Sequence, residues 1–78
     1  MDDNEILHHI TRLVDEEHSL ERTGRALSDD QAIRLREVEV ALDQCWDLLR
    51  QRRARRRSGA DPDDATVRPE ATVEGYQQ

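Results

Sequence analysis

The sequence predicts an all-α fold: an antiparallel two-helix hairpin over residues 1–58, then an acidic, proline-containing tail over 59–78. Three observations predict it. Apolar residues recur at steps of three and four through two long stretches, the spacing of a helix face. Capping residues mark where each stretch begins and ends. Aromatic residues make up only 3% of the chain, and sheets are usually built from aromatic and β-branched runs.

The first helix is expected over about residues 4–22. Asp2, Asp3 and Asn4 offer cap oxygens and the negative charge a helix N-terminus favours. Ile6, Leu7, Ile10, Leu13, Val14 and Leu20 form its apolar stripe, roughly 160° wide at ~100° per residue, with His18 at its edge as a half-buried, hydrogen-bonded histidine. Thr23-Gly24 ends it, Gly suiting the left-handed residue just past a helix.

The turn spans about 23–28 and the second helix about 29–57. Ser28 with Gln31 three residues later is a capping box, and Asp29 and Asp30 sit where the helix dipole favours acids. The apolar side is Leu35, Val38, Ala41, Leu42, Cys45, Trp46, Leu48 and Leu49, again roughly 160° wide. Trp46 is its expected packing anchor. Ser58-Gly59 closes the helix.

A connection this short folds the helices back antiparallel. Leu13 then falls near Val38, Ile10 near Leu42, and Ile6 near Cys45 and Trp46. Two helices alone need one narrow seam, and both stripes are wider than that. A second copy of the chain, giving a four-helix bundle and a homodimer, is the simplest cover. The second helix outruns the first by ~15 Å at 1.5 Å per residue, so Leu48–Arg57 projects beside Asp2, Asp3 and Glu5, which can pair with its first arginines.

The tail reads as disordered or lightly docked on its two prolines and five acids. Pro69 is placed to start a helical turn bringing Val73 and Tyr76 to one side.

Charge is distributed in blocks. Residues 1–49 carry five Arg against thirteen acids, residues 50–57 six Arg and no acid, and residues 58–78 one Arg against five acids, for a net −6. An acidic chain is a poor general binder of nucleic acid, whose phosphates need clustered cations. Cys45 is the only cysteine, so no disulfide forms within the chain. The N-terminal stretch lacks the apolar region of a secretory signal, and no run approaches the ~20 apolar residues of a membrane span. A cytoplasmic location with Cys45 reduced is expected.

Ala41–Arg56, ALDQCWDLLRQRRARR, resembles a family of short actinobacterial proteins known only as a domain of unknown function. The likeness extends from the DDNEIL opening through Glu16-Glu17-His18 to the VRP and Tyr76 of the tail. The resemblance implies a short, helical, cytoplasmic protein. It brings no activity, cofactor or site residues.

Candidate chemistry is sparse. Glu5-x-x-His8 and Asp15-x-x-His18 have a di-metal ligand spacing, but Glu5 and His8 fall outside the apolar arc, where ligands do not converge. Glu17 lies inside the arc, and a buried carboxylate needs a donor such as Gln31 or Arg34. A polar core layer of Glu17 and Gln31 fixing register is the expectation. Cys45 sits between apolar neighbours as inert filling. No catalytic, cofactor-binding or metal-binding residue emerges. The surface expected to meet a partner is the projecting end: Trp46, Leu48, Leu49, Arg50, Arg52, Arg53, Arg55, Arg56 and Arg57. The leading expectation is a non-enzymatic, self-associating helical adaptor or small regulatory protein with a protein partner the sequence does not name. The alternative is an Arg-mediated binder of RNA, the ribosome or DNA through Arg50–Arg57.

Overall fold

The computed structural model describes residues 2–22 and 26–70 of the chain. Two long helices dominate, α1 over Asp3–Glu21 and α2 over Asp29–Ser58, followed by a single 3-10 turn at Pro62–Asp64. Among the described residues there is no strand.

Each helix starts where its cap chemistry dictates. Of the three candidate caps at the N-terminus, the chain uses Asp2. Its carboxylate accepts from the Glu5 backbone N–H at 2.8 Å, while the Glu5 side chain accepts from the Asp2 N–H. Asp3 is thereby left at the helix entrance, clear to reach α2. The expected Ser28–Gln31 box forms at the start of α2, with both reciprocal bonds present. Gly59 ends α2 in the left-handed region, at φ 79°, where a side chain would be strained. The stop expected at Gly24 and the turn expected at Val73 and Tyr76 lie outside the described residues.

Ion pairs at both ends make α1 and α2 antiparallel. Glu16, late in α1, pairs with Arg34, early in α2; Asp3, at the start of α1, pairs with Arg52, late in α2. Between them the core is Ile6, Ile10 and Leu13 against Val38, Leu42 and Leu48, with Val14, Ala41, Cys45 and Leu49 packed partly buried around it. The layers expected from sequence draw on this cluster, with one correction. Trp46 is 46% exposed and Leu48 is buried instead. The turn of α2 carries the indole past the seam, and Leu48 takes the inward place.

The chain then returns. Past Gly59 it reverses, and residues 60–70 run back along α2. Arg52 donates to the Pro62 carbonyl, Gln51 to Thr66 O and Gln44 to Arg68 O, and Arg36 pairs with Glu70. The partners descend along α2 as the segment ascends, so this strap is antiparallel to the helix. Ala65 packs against the hydrophobic core. Strap and helices form an elongated slab, 49 × 24 × 17 Å.

Ile6 is fully buried whereas Ile33 is 59% exposed. Ile6→Ala is expected to cost roughly 2–5 kcal/mol, comparable to all that so small a core supplies, and Ile33→Ala about 0.5 kcal/mol or less. Urea unfolding followed by circular dichroism distinguishes the two, and equal effects would refute this core.

Candidate functional site

Helix α2 presents three faces, and each is used differently. The first packs on α1 through Val38, Leu42 and Cys45. The second holds the strap through Gln44, Asp47 and Gln51. The third carries Glu39, Trp46, Arg53 and Arg57, which fall within ~40° of one another, with Trp46 roughly 100–160° from the strap residues at 100° per residue.

The second face centres on a buried acid. Asp47 is 0% exposed. Its two oxygens accept from the Arg68 guanidinium at 2.9 and 2.5 Å, and one also accepts from Gln51 Nε2 at 2.9 Å. Burial pushes the carboxyl up. Hydrogen bonds from Arg68 and Gln51 more than offset that, helped by the Arg68 and Arg50 charges, so it stands below its ordinary 3.8. Gln51 spans the junction, donating also to Thr66 O at 2.7 Å.

Beyond it, Arg52 is buried, only 6% exposed. It donates to Asp3 at 2.5 Å, to Asp63 at 3.0 Å and to the Pro62 carbonyl at 3.2 Å. Asp3 also pairs with Arg56 at 3.0 Å. Hydrogen bonds from Arg52 and then Arg56 hold the Asp3 carboxyl below its usual range. A single knot therefore ties the start of α1, the end of α2 and the strap.

Several expectations are corrected here. Leu48 and Arg52, placed among the partner-facing residues, are buried by the chain itself. Arg34 takes Glu16 rather than Glu17, and the Gln31 side chain serves the Ser28 cap. Glu17 itself is half-buried. The pairing expected for a Glu17–Gln31 layer is thus replaced by a pair one residue earlier. Hydrogen bonding to Arg34 holds Glu16 below its ordinary value. His18, expected half-buried, is exposed; it lines an open depression with Asp15, Ser19, Glu21 and Arg22 near the end of α1.

Cys45 is half-buried against the core, and desolvation pushes its thiol up, which disfavours the nucleophilic thiolate at neutral pH. Among the described residues no three His, Cys, Asp or Glu side chains lie together as metal ligands would.

The third face is of another kind. Trp46 and Leu49 line an open depression with Asp3, Arg50, Arg53 and Arg56. Leu7, one helical turn along α1 from Asp3, is 43% exposed. Leu7 and Trp46 therefore flank the α1–α2 seam on the side away from the strap. Arg50, Arg53 and Arg57 are exposed, and Arg55 is half-buried.

Sequence reasoning missed the Asp47–Arg68 pair. The available signal was an acid set inside the apolar Trp46-x-Leu48-Leu49 run, together with a solitary basic residue in an otherwise acidic tail.

Comparison with known proteins places residues 2–78 within the model of a family described as protein of unknown function (DUF2630). The chain belongs to this family. Uncharacterized proteins of Mycobacterium bovis and Mycobacterium tuberculosis are 52% identical to it over 77 residues, spanning 95% of this chain and 88% of each relative. The actinobacterial resemblance carried by the Cys45-Trp46 segment is thus shown. No solved structure matches. The DUF2630 match takes in hairpin and tail alike, so the strap falls within the family unit.

The depressed Asp47 and Asp3 carboxyls fix a pH dependence. A group lowered on folding contributes stability that is complete above its unfolded value, here 3.8, and lost as pH falls through the folded value. The melting temperature is expected to hold near neutrality and to drop below about pH 4. Asp47→Asn should melt lower at pH 7 and show a shallower acid limb. Arg68→Ala should speed amide exchange at Asp63, Asp64 and Ala65, whose N–H groups are hydrogen-bonded, before it affects α1; unchanged exchange there would refute the strap.

Proposed function

We propose that this DUF2630 protein is a non-enzymatic, self-associating helical adaptor or small regulator of the cytoplasm, working through the side of the hairpin that the strap leaves open. The observation that carries it is the pair Leu7 and Trp46, 43% and 46% exposed beside one seam. Large aromatic and aliphatic side chains grouped in this way, rimmed by arginine, have the composition of interface centres. A hairpin whose own core supplies only ~3–5 kcal/mol gains most from a second subunit.

The width of the stripes supports the same reading. Part of the surplus on α2 is taken by Ala65 of the strap. The part on the Trp46 side, continued on α1 by Leu7, is what a partner would cover.

Binding of RNA or DNA through the arginines is the second reading, favoured by the exposure of Trp46 next to Arg50 and Arg53. It is weakened by the chain's net −6 and by the engagement of Arg52 and Arg56 with Asp3. What remains is a short cationic patch on an acidic body, with few phosphate contacts to offer.

Sedimentation equilibrium across a wide concentration range tests the proposal. Reversible self-association is expected, weakened more than tenfold by Leu7→Glu or Trp46→Glu, with helical content retained. A folded chain that stays monomeric at high concentration would contradict it. Salt-sensitive retention on RNA, lost on replacing Arg50, Arg53 and Arg57 with Gln, would favour the second reading.

A further inference from the structure

The distribution of charge about Trp46 says how a partner copy is oriented. Glu39 lies seven residues before Trp46 and Arg53 seven after. Seven residues are close to two helical turns, so all three share one side of α2, with each charge ~10 Å from the indole. Neither Glu39 nor Arg53 takes part in the ion pairs that tie the strap and helices together.

An acid and a base set symmetrically about an exposed aromatic is a self-complementary pattern. Lay a second α2 antiparallel on the first so that the two Trp46 side chains meet. The residue seven places ahead in one copy then faces the residue seven places behind in the other. Glu39 meets Arg53 twice, so the paired indoles have a charged layer at each end. Laid parallel, Glu39 faces Glu39 and Arg53 faces Arg53, which repels.

Resting on the self-association reading above, we infer that the occupant of the open face is a second copy of this chain, antiparallel about a two-fold axis at Trp46, with Glu39 of each copy paired to Arg53 of the other. This is an isologous contact, closed at two copies. Leu7 of each copy lies beside the same centre, so all four long helices contribute.

Charge reversal in the full-length chain tests the orientation. Glu39→Arg and Arg53→Glu are each expected to weaken self-association about tenfold, since each places like charges together twice. Mixed in equal amounts, the two variants should associate with each other at wild-type strength, because both cross-pairs are then Arg opposite Glu. The double variant should likewise recover alone. Trp46 is the only tryptophan, so a blue shift of its emission with concentration reports burial at this interface directly.

A mixture no stronger than its separate components, in a wild-type chain that does self-associate, would overturn this orientation and leave the adaptor reading standing. Emission that ignores protein concentration but shifts on adding RNA would overturn both.

Discussion

The buried carboxylate of Asp47 is the constraint from which the rest of the arrangement follows. An unpaired charge inside even a small protein carries a penalty of several kcal/mol, and α1 has no cation in position to relieve it. The relief comes from Arg68, through two hydrogen bonds on one carboxylate, while Gln51 fills out the remaining acceptor capacity. Such a pair contributes little net stability against a hydrophobic substitute. What it contributes is position: the fork of the guanidinium admits one approach, and that approach brings residues 62–70 onto α2 in a single register.

The register then settles the fate of the arginines. As a bare sequence, Arg50–Arg57 is a uniform basic run. In the folded chain it is divided. Arg52 is drawn inward by Asp3 from one side and by Asp63 and the Pro62 carbonyl from the other, and Arg56 shares Asp3. Arg50, Arg53 and Arg57 turn outward on the Trp46 side. Neutralisation within the chain and presentation to a partner were competing accounts of the run. Helical periodicity lets both hold, because residues three and four apart share a face while immediate neighbours do not.

How much of this the sequence discloses depends on the range of the interaction. Caps are local, and the Ser28–Gln31 box and the Gly59 stop are visible from residue types three places apart. The hairpin core is nearly as legible, since a stripe of period 3.6 specifies its own buried side: Ile6, Ile10, Leu13, Val38 and Leu42 all fall inside it. Apolar periodicity does not say which edge of a wide stripe turns inward, so Trp46 reads as core and lies at the rim. Nor does it register an acid that is buried because a residue twenty-one places away supplies its counter-charge. Periodic patterns encode what a helix does alone. Asp47 and Arg68 make sense only as a pair, and the pairing depends on a chain reversal that composition had left open between docked and disordered.

Closing one flank of α2 also shapes what the other can do. A hairpin open on both flanks offers two different sticky surfaces, and head-to-tail contact between unlike surfaces grows without limit unless a rotation closes it. The strap removes one of them. Ala65 and the Arg68 guanidinium face in, while Thr66, Val67 and Glu70 are exposed. The other flank, beside the α1–α2 seam, keeps Leu7 and Trp46 exposed, with opposite charges on either side of the indole, and is the surface proposed to meet a second copy in the reverse direction. The cost accepted by burying Asp47 thus acts at a distance. By fixing residues 62–70 over one flank of a small hairpin, it confines the surplus of apolar width beside the α1–α2 seam to the flank on which the closed pair is proposed.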